Sequence, residues 1–265
     1  MGSSLSTGKE FEIAYAAAQK DSEMEATKGG RQGHVAKSVR RLSHNTVAIT
    51  FEGSLAFTAG GHVSIRSDTA FSRSYTPFFV GPDSFTIAVK KYPEGKVSTY
   101  LNDRVRPGDF VAMSAPIPPR FNVATSMKGE AGAVLAVVGG GTGIAPVYSM
   151  ANHLARLPNN KSNIVIFGCF RNEEDVLLGD ELVALAAFAP TLVSVYLVFS
   201  RPGPSPPTTY LGLPVLTGRF AKEHLQGRLE KATFAAVCGP PGFGPSVADV
   251  LEENVNVRAQ DVTIM

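Results

Sequence analysis

Four stretches of this chain carry residue types suited to an anionic, planar ligand. The first is Arg73-Ser74-Tyr75-Thr76-Pro77, where a guanidinium beside a phenol ring can grip a phosphate while the ring stacks on a flat heterocycle. The second is Gly95-Lys96-Val97-Ser98, which can open a helical turn and aim backbone N–H groups and a hydroxyl at a pyrophosphate. It is not a P-loop, because G-x-x-x-x-G-K-[ST] occurs nowhere in the chain. The third packs glycine at 139, 140, 141 and 143, with Pro146 following. Glycine admits a ligand to the backbone without a Cβ in the way. The spacing over Gly141, Gly143 and Pro146 is G-x-G-x-x-P, not the G-x-G-x-x-G of dinucleotide-binding turns. The fourth sets Cys238 directly before Gly239-Pro240-Pro241. Each stretch taken alone has a plain structural alternative: a surface arginine on an edge strand, a tight turn, a buried small cysteine.

The elements that must position these residues change character along the chain. Residues 35–39, 46–51, 62–65, 84–91 and 109–114 read as short strands, separated by Gly60-Gly61, Gly81-Pro82-Asp83, Pro93-Glu94-Gly95 and Pro107-Gly108-Asp109. Such spacing predicts a small antiparallel barrel over 34–125. Residues 126–132 read as a linker. From 133 onward, apolar strands at 134–138, 164–169, 193–199 and 234–238 alternate with helical patterns at 146–156, 180–187, 221–230 and 245–254. That alternation predicts a doubly wound α/β domain over 133–265 with a parallel sheet covered on both faces. Ligands in such sheets sit outside the carboxyl ends of the strands, where both the glycine cluster and Cys238 fall.

Bulk composition narrows the function classes. At 265 residues, 44% hydrophobic and 18% charged, the chain can bury one large core or two ordinary ones. Net charge +2 gives no support for nucleic-acid binding, and the apolar runs are too short for a transmembrane helix. Cys169 and Cys238 are too few for a disulfide framework or an iron–sulfur cluster, so a reducing, cytoplasmic setting is expected. The five histidines are in no metal-ligand spacing, and no metal is expected. Residues 1–33 read as a flexible tail. It opens M-G-S-S-L-S, with Gly2 and Ser6 fitting the N-myristoylation pattern as well as they fit a polar tail. One such chain would give reversible association with the cytoplasmic face of a membrane.

The order of the pieces is more specific than any one of them. R-S-Y-T-P, V-K-K-Y, G-K-V-S-T-Y-L, G-G-G-T-G-I-A-P and C-G-P-P-G-F, in that sequence, closely resemble the ferredoxin-reductase-like flavoproteins, most of all the NADH–cytochrome b5 reductase branch. The resemblance implies a barrel that binds FAD, followed by a domain that binds NADH or NADPH. Arg73 would then hold the flavin phosphates, with Ser74 beside it. Tyr75 would pack on the flavin, and Thr76 would approach its N5. Lys90 and Tyr92 match the family's V-K-x-Y, and Gly95, Lys96, Val97 and Ser98 would wrap the pyrophosphate. Thr142 would touch the flavin from the second domain, while Gly141 and Gly143 would admit the nucleotide phosphates. Cys238, with Gly239, Pro240 and Pro241 behind it, would lie by the nicotinamide. The implied chemistry is hydride transfer from nicotinamide C4 to flavin N5, then single-electron delivery to a haem protein such as cytochrome b5. It needs no general base.

The chain departs from the family pattern in four places, one of them 112–121, which does not match the family's G-P-x-G turn closely. Ser200-Arg201 stands where NADH-preferring members carry an acid against the ribose, so a 2′-phosphate would be welcomed, with Arg219 as a second contact. The loop between Tyr92 and Gly95 is short, leaving the FAD adenine without its usual support. Ile264-Met265 offers no terminal aromatic to stack on the flavin. A monomer is expected. The acceptor stays open between a cytochrome b5-like protein, a nitrate-reductase-like partner, a ferredoxin and a quinone, and a non-catalytic FAD-binding module is the remaining alternative.

Overall fold

The computed structural model describes residues 30–67, 71–127 and 131–265. The expectations for residues 1–29, including Gly2 and Ser6, lie outside the described residues. The first half is one antiparallel sheet of β1 (Arg31–Ser43), β2 (Thr46–Glu52), β3 (Val63–Arg66), β4 (Ser72–Tyr75), β5 (Pro77–Val80), β6 (Ser84–Lys90) and β7 (Phe110–Ser114). Their order in space is β4-β3-β7-β1-β2-β6-β5. Residues Arg31 to Val35 of β1 pair with β7, whereas from Ala36 onward β1 pairs with β2 across a register slip between Ala36 and Ser38. That bulge bends the strand, so one long element serves as the corner of a half-barrel. β1 begins at Arg31, inside the stretch expected as a tail.

Strand alternation fills the half-barrel with Ile49, Phe51, Val63, Ile65, Phe85 and Ile87. The helix α1 (Lys96–Asp103) covers one end of this core through Val97 and Leu101. Four-residue β4 and β5 were not expected as strands. Each is too short for alternation to declare itself, and only Thr76 separates them.

After α2 (Val123–Met127), the second half alternates β8 (Val134–Gly140), α3 (Ile144–Ala155), β9 (Asn163–Phe170), α4 (Gly179–Phe188), β10 (Val193–Phe199), β11 (Thr209–Tyr210), β12 (Leu213–Thr217), β13 (Phe234–Cys238), α5 (Phe243–Asn254) and β14 (Val262–Ile264). The sheet runs β11-β12-β10-β9-β8-β13-β14 and is parallel except for the β11–β12 pair. Every residue of β8 is buried, as a strand sandwiched on both faces must be. Leu135 and Val137 face α3 and α4, whereas Val134, Ala136 and Val138 join the core under α5. Chain order moves outward from β8 through β9 and β10, and β13 then returns on the other side of β8. The switch point of the sheet thus lies between the carboxyl ends of β8 and β13.

The helix expected over 221–230 is instead a 3-10 turn, Lys222–His224, followed by turns. Leu225 and Leu229 are buried at helical spacing, which explains the expectation. The His224 ring caps the first turn, accepting from the Ala221 amide at Nδ1 while Nε2 sits 3.0 Å from the Thr217 carbonyl. The helix is not continued because Gly227 takes φ +67 between the two leucines. The helix expected from Pro146 starts earlier, at Ile144, directly after a 3-10 turn over Gly141–Gly143. Among the described residues no helix is long and apolar enough to cross a membrane.

Candidate functional site

A cavity of about 680 Å³ opens at the switch point and is walled by both halves of the molecule. This lies within the usual range for cofactor pockets. From the half-barrel come Arg73, Ser74, Tyr75 and Thr76, then Lys90 and Tyr92, then Gly95, Lys96, Val97 and Ser98. Thr142, Gly143, Cys238 and Gly239 face them from the parallel sheet. Residues distant in sequence meet here because β4, the end of β6, the start of α1 and two strand ends of the sheet converge.

Alternation along β4 puts Arg73 and Tyr75 on one face of the strand. Arg73 is exposed and its Nη1 donates to the Ser72 carbonyl at 2.8 Å. Burial pushes the Tyr75 phenol far up, against the pull of the Arg73 charge, so it is a neutral hydrogen-bonding group at any physiological pH. Lys90 Nζ reaches across to Asp175 Oδ1 at 2.9 Å, joining the half-barrel to the turn before α4. The pair is mostly shielded, with the side chains 17% and 8% exposed, so Lys90 is no part of a solvated docking face.

The start of α1 fits a pyrophosphate. Gly95 is its N-cap and provides no side-chain cap, leaving the first-turn amides to face the cavity. A Cβ on Gly95 would sit 2.2 Å from Ser98 Oγ, so the loop closes only around glycine. The Ser98 hydroxyl is used inside that loop: it donates to the Gly95 carbonyl at 3.1 Å and accepts from the Tyr92 amide at 3.3 Å. The hydroxyl thereby shapes the cradle from within.

On the opposite wall the glycines divide their work. Gly143 has ordinary helical φ −62 and ψ −10. It is glycine for space, since a Cβ would lie 2.2 Å from the Cys238 carbonyl oxygen. Gly143 therefore locks the turn against β13 while lining the cavity. Gly141 takes φ +55 with open space around it, outside the cavity lining. Burial pushes the Cys238 thiol up to about 12, so it stays protonated and offers a small, polarizable surface. Pro240 and Pro241 are exposed and do not line the cavity.

Ser200, Arg201 and Arg219 also lie outside this cavity, at the ends of β10 and β12. Phe199 pairs with Thr217 and the Gly218 amide donates to the Phe199 carbonyl, so the segments that carry Arg201 and Arg219 leave adjacent strands at the same edge of the sheet. Both are exposed. Arg171 joins them, because the Arg201 amide donates to its carbonyl at 2.8 Å. Ser200 Oγ donates to the Phe170 carbonyl at 3.2 Å, so its proton already has an acceptor.

Sequence reasoning missed Gly60, His62, Phe71, Glu94 and Met265, all of which line the cavity. Phe71 was within reach, since it stands two residues before Arg73 and shares its alternation. Met265 was not: its amide donates to the Val237 carbonyl, a contact that only the β13–β14 pairing creates.

Residues 33–119 match the oxidoreductase FAD-binding domain family, and residues 137–249 match the oxidoreductase NAD-binding domain family. This order is that of the two walls of the cavity. The chain belongs to the ferredoxin-reductase-like flavoproteins. It is 29% identical over 228 residues to NADH-cytochrome b5 reductase 2 of Yarrowia lipolytica, covering 80% of this chain and 74% of the relative. NADH-cytochrome b5 reductase 1 of Candida glabrata is 29% identical over 218 residues, covering 78% and 73%. Among solved structures, the cytochrome b5 reductase domain of Ulva prolifera nitrate reductase superimposes with a TM-score of 0.71 at 22% identity, covering 87% of this chain and 97% of that domain. As a flavoprotein of this family, the chain is an oxidoreductase with FAD and a nicotinamide dinucleotide as cofactors.

Proposed function

We propose that this flavoprotein takes a hydride from NADH or NADPH and passes the electrons singly to a haem protein such as cytochrome b5. One observation carries the reading: a single cavity has a phosphate-gripping, aromatic wall on one side and a wall of small residues on the other. The relatives named NADH-cytochrome b5 reductase support the choice of acceptor. The domain division 34–125 and 133–265 belongs to the same proposal.

Bound FAD supplies hydride acceptance and one-electron release. The chain's own residues do the positioning. Arg73 and the first amides of α1 hold the pyrophosphate by charge-assisted hydrogen bonds. Tyr75 stacks on the ring system as a neutral phenol. Thr76 and Thr142 bring hydroxyls to the ring edge from the two domains. Cys238 and Gly239 leave room for a nicotinamide to lie flat at near-attack distance, and the apolar thiol helps exclude water. A thiol protonated up to about pH 12 is no base, in keeping with a reaction that needs none.

Arg201 and Arg219, exposed on segments that leave adjacent strands at the carboxyl edge, favour a nucleotide that carries a 2′-phosphate, with Arg171 beside Arg201. NADPH is therefore a substrate alongside NADH in this reading. The M-G-x-x-x-S start supports a reversible tether of a monomeric protein at the cytoplasmic face of a membrane.

Stopped-flow reduction of the bound flavin with NADH and with NADPH, followed by addition of cytochrome b5, tests the whole sequence. Rapid bleaching and then haem reduction is the expected result. Bleaching without haem reduction would point to a ferredoxin, quinone or nitrate-reductase-like acceptor. A yellow protein bleached by neither nucleotide would be an FAD-binding module.

A further inference from the structure

The pairing of β3 with β4 continues one step past its last register pair. Arg66 pairs with Ser72, and the Ser67 amide then donates to the Phe71 carbonyl at 2.9 Å. Phe71 is thus extended and shares a face with Arg73 and Tyr75, while Ser72 points the other way and accepts from Arg31 Nη2. All three residues of this face line the cavity, as does Ser74 between Arg73 and Tyr75, whereas Ser72 does not. At a rise of about 3.4 Å per residue, Phe71 and Tyr75 stand about 14 Å apart with Arg73 midway.

That row is aromatic, cationic, aromatic. FAD has the matching order of flat ring, pyrophosphate, flat ring. We propose that Phe71 is the seat of the FAD adenine, with Lys96 beside it serving the pyrophosphate. The proposal rests on the flavoprotein reading and extends it to the half of FAD that the short loop from Tyr92 to Gly95 leaves without support. Phe71 is 44% exposed, a large apolar ring held open on a cavity wall rather than packed in the core. Lys96 Nζ lies over one face of the ring, 4.2 Å from its centroid, so a stacked adenine takes the opposite face or the place of the ammonium. Lys96 also opens α1, so its ammonium stands within reach of the pyrophosphate at the first-turn amides. Two segments distant in sequence, the approach to β4 and the start of α1, thereby provide the stacking surface and the charge for the adenylate half.

FMN lacks the adenylate, which makes it the control ligand. The full chain, freed of flavin, is titrated with FAD and separately with FMN by flavin fluorescence. Phe71→Ala should weaken FAD about tenfold, the scale of one lost base–aromatic stack, and leave FMN within twofold of the parent. Phe71→Trp should restore FAD affinity, which a merely disrupted fold would not allow. Unchanged FAD binding in Phe71→Ala, or equal weakening of FAD and FMN, would overturn the assignment while leaving the flavoprotein reading in place. A parent protein that binds neither flavin would overturn both.

Discussion

The two walls of the cavity are built on opposite plans. The half-barrel wall presents long charged and aromatic side chains, Arg73, Tyr75, Tyr92 and Lys96. Across from it, the parallel sheet presents Thr142, Gly143, Ala145, Pro146 and Gly239, little more than backbone. Side chains that clamp suit a ligand that stays. Small residues over a smooth edge suit one that must arrive, lie flat and leave. The contrast teaches that damage to the first wall should appear as lost retention, and damage to the second as lost turnover or lost fit.

The largest effect should come from the backbone contact that seats the smooth wall. Gly143→Ala drives a Cβ into the Cys238 carbonyl and should destabilise the fold by about 3 kcal/mol, read by denaturant titration. A parent-like midpoint would mean that the turn has slack that the geometry hides. Next in size, Arg73→Ala removes a charged phosphate contact worth about 2 kcal/mol, so the Kd for FAD should rise roughly thirtyfold while flavin that remains bound is reduced at a normal rate. Slow reduction with normal retention would reverse the division of labour between the walls. Arg201→Ala should raise the KM for NADPH about tenfold and leave that for NADH unchanged; parallel changes in both would free the arginine edge from any 2′-phosphate. The smallest effect concerns Cys238. Replacing it with alanine should slow flavin reduction only about threefold without loss of FAD. Because the thiol holds its proton up to about pH 12, the parent rate should carry no inflection from Cys238 between pH 6 and 10. The sign follows from burial: it raises the thiol, so its proton leaves only above that window. An inflection near pH 8.5 that vanishes in Cys238→Ala would reveal a working thiolate.

The architecture was legible because both of its periodicities are long enough to read. Strand alternation over β2 and β6, and the strand–helix rhythm from Val134 onward, leave few competing folds. What escaped reading was decided by contacts remote in sequence or by very short elements. Ser98 has the residue type of a phosphate ligand, yet its hydroxyl closes its own loop between Gly95 and Tyr92. Gly143 reads in sequence as a ligand-facing glycine, but that its lack of a Cβ also seats the turn on the Cys238 backbone, 95 positions further on, shows only in the fold. Leu225 and Leu229 carry helical spacing, but Gly227 between them takes φ +67 and turns the backbone out of a helix. Arg171 gave no sign in sequence, since only the β9–β10 pairing sets it beside Arg201.

The core under α3 does not stop at the parallel sheet. Ala48, Phe78 and Ala88 of the half-barrel belong to the same buried cluster as Val147, Tyr148 and Met150 of that helix. The Gly60 amide donates to Ser149 across the same seam. An apolar seam of this kind ties the halves together in heat as well as in space, so the molecule should melt in one calorimetric transition rather than two. Any ligand held on one side then protects the other by mass action. Saturating the half-barrel with its cofactor should therefore raise the melting temperature of the nucleotide-binding half before a nucleotide has arrived.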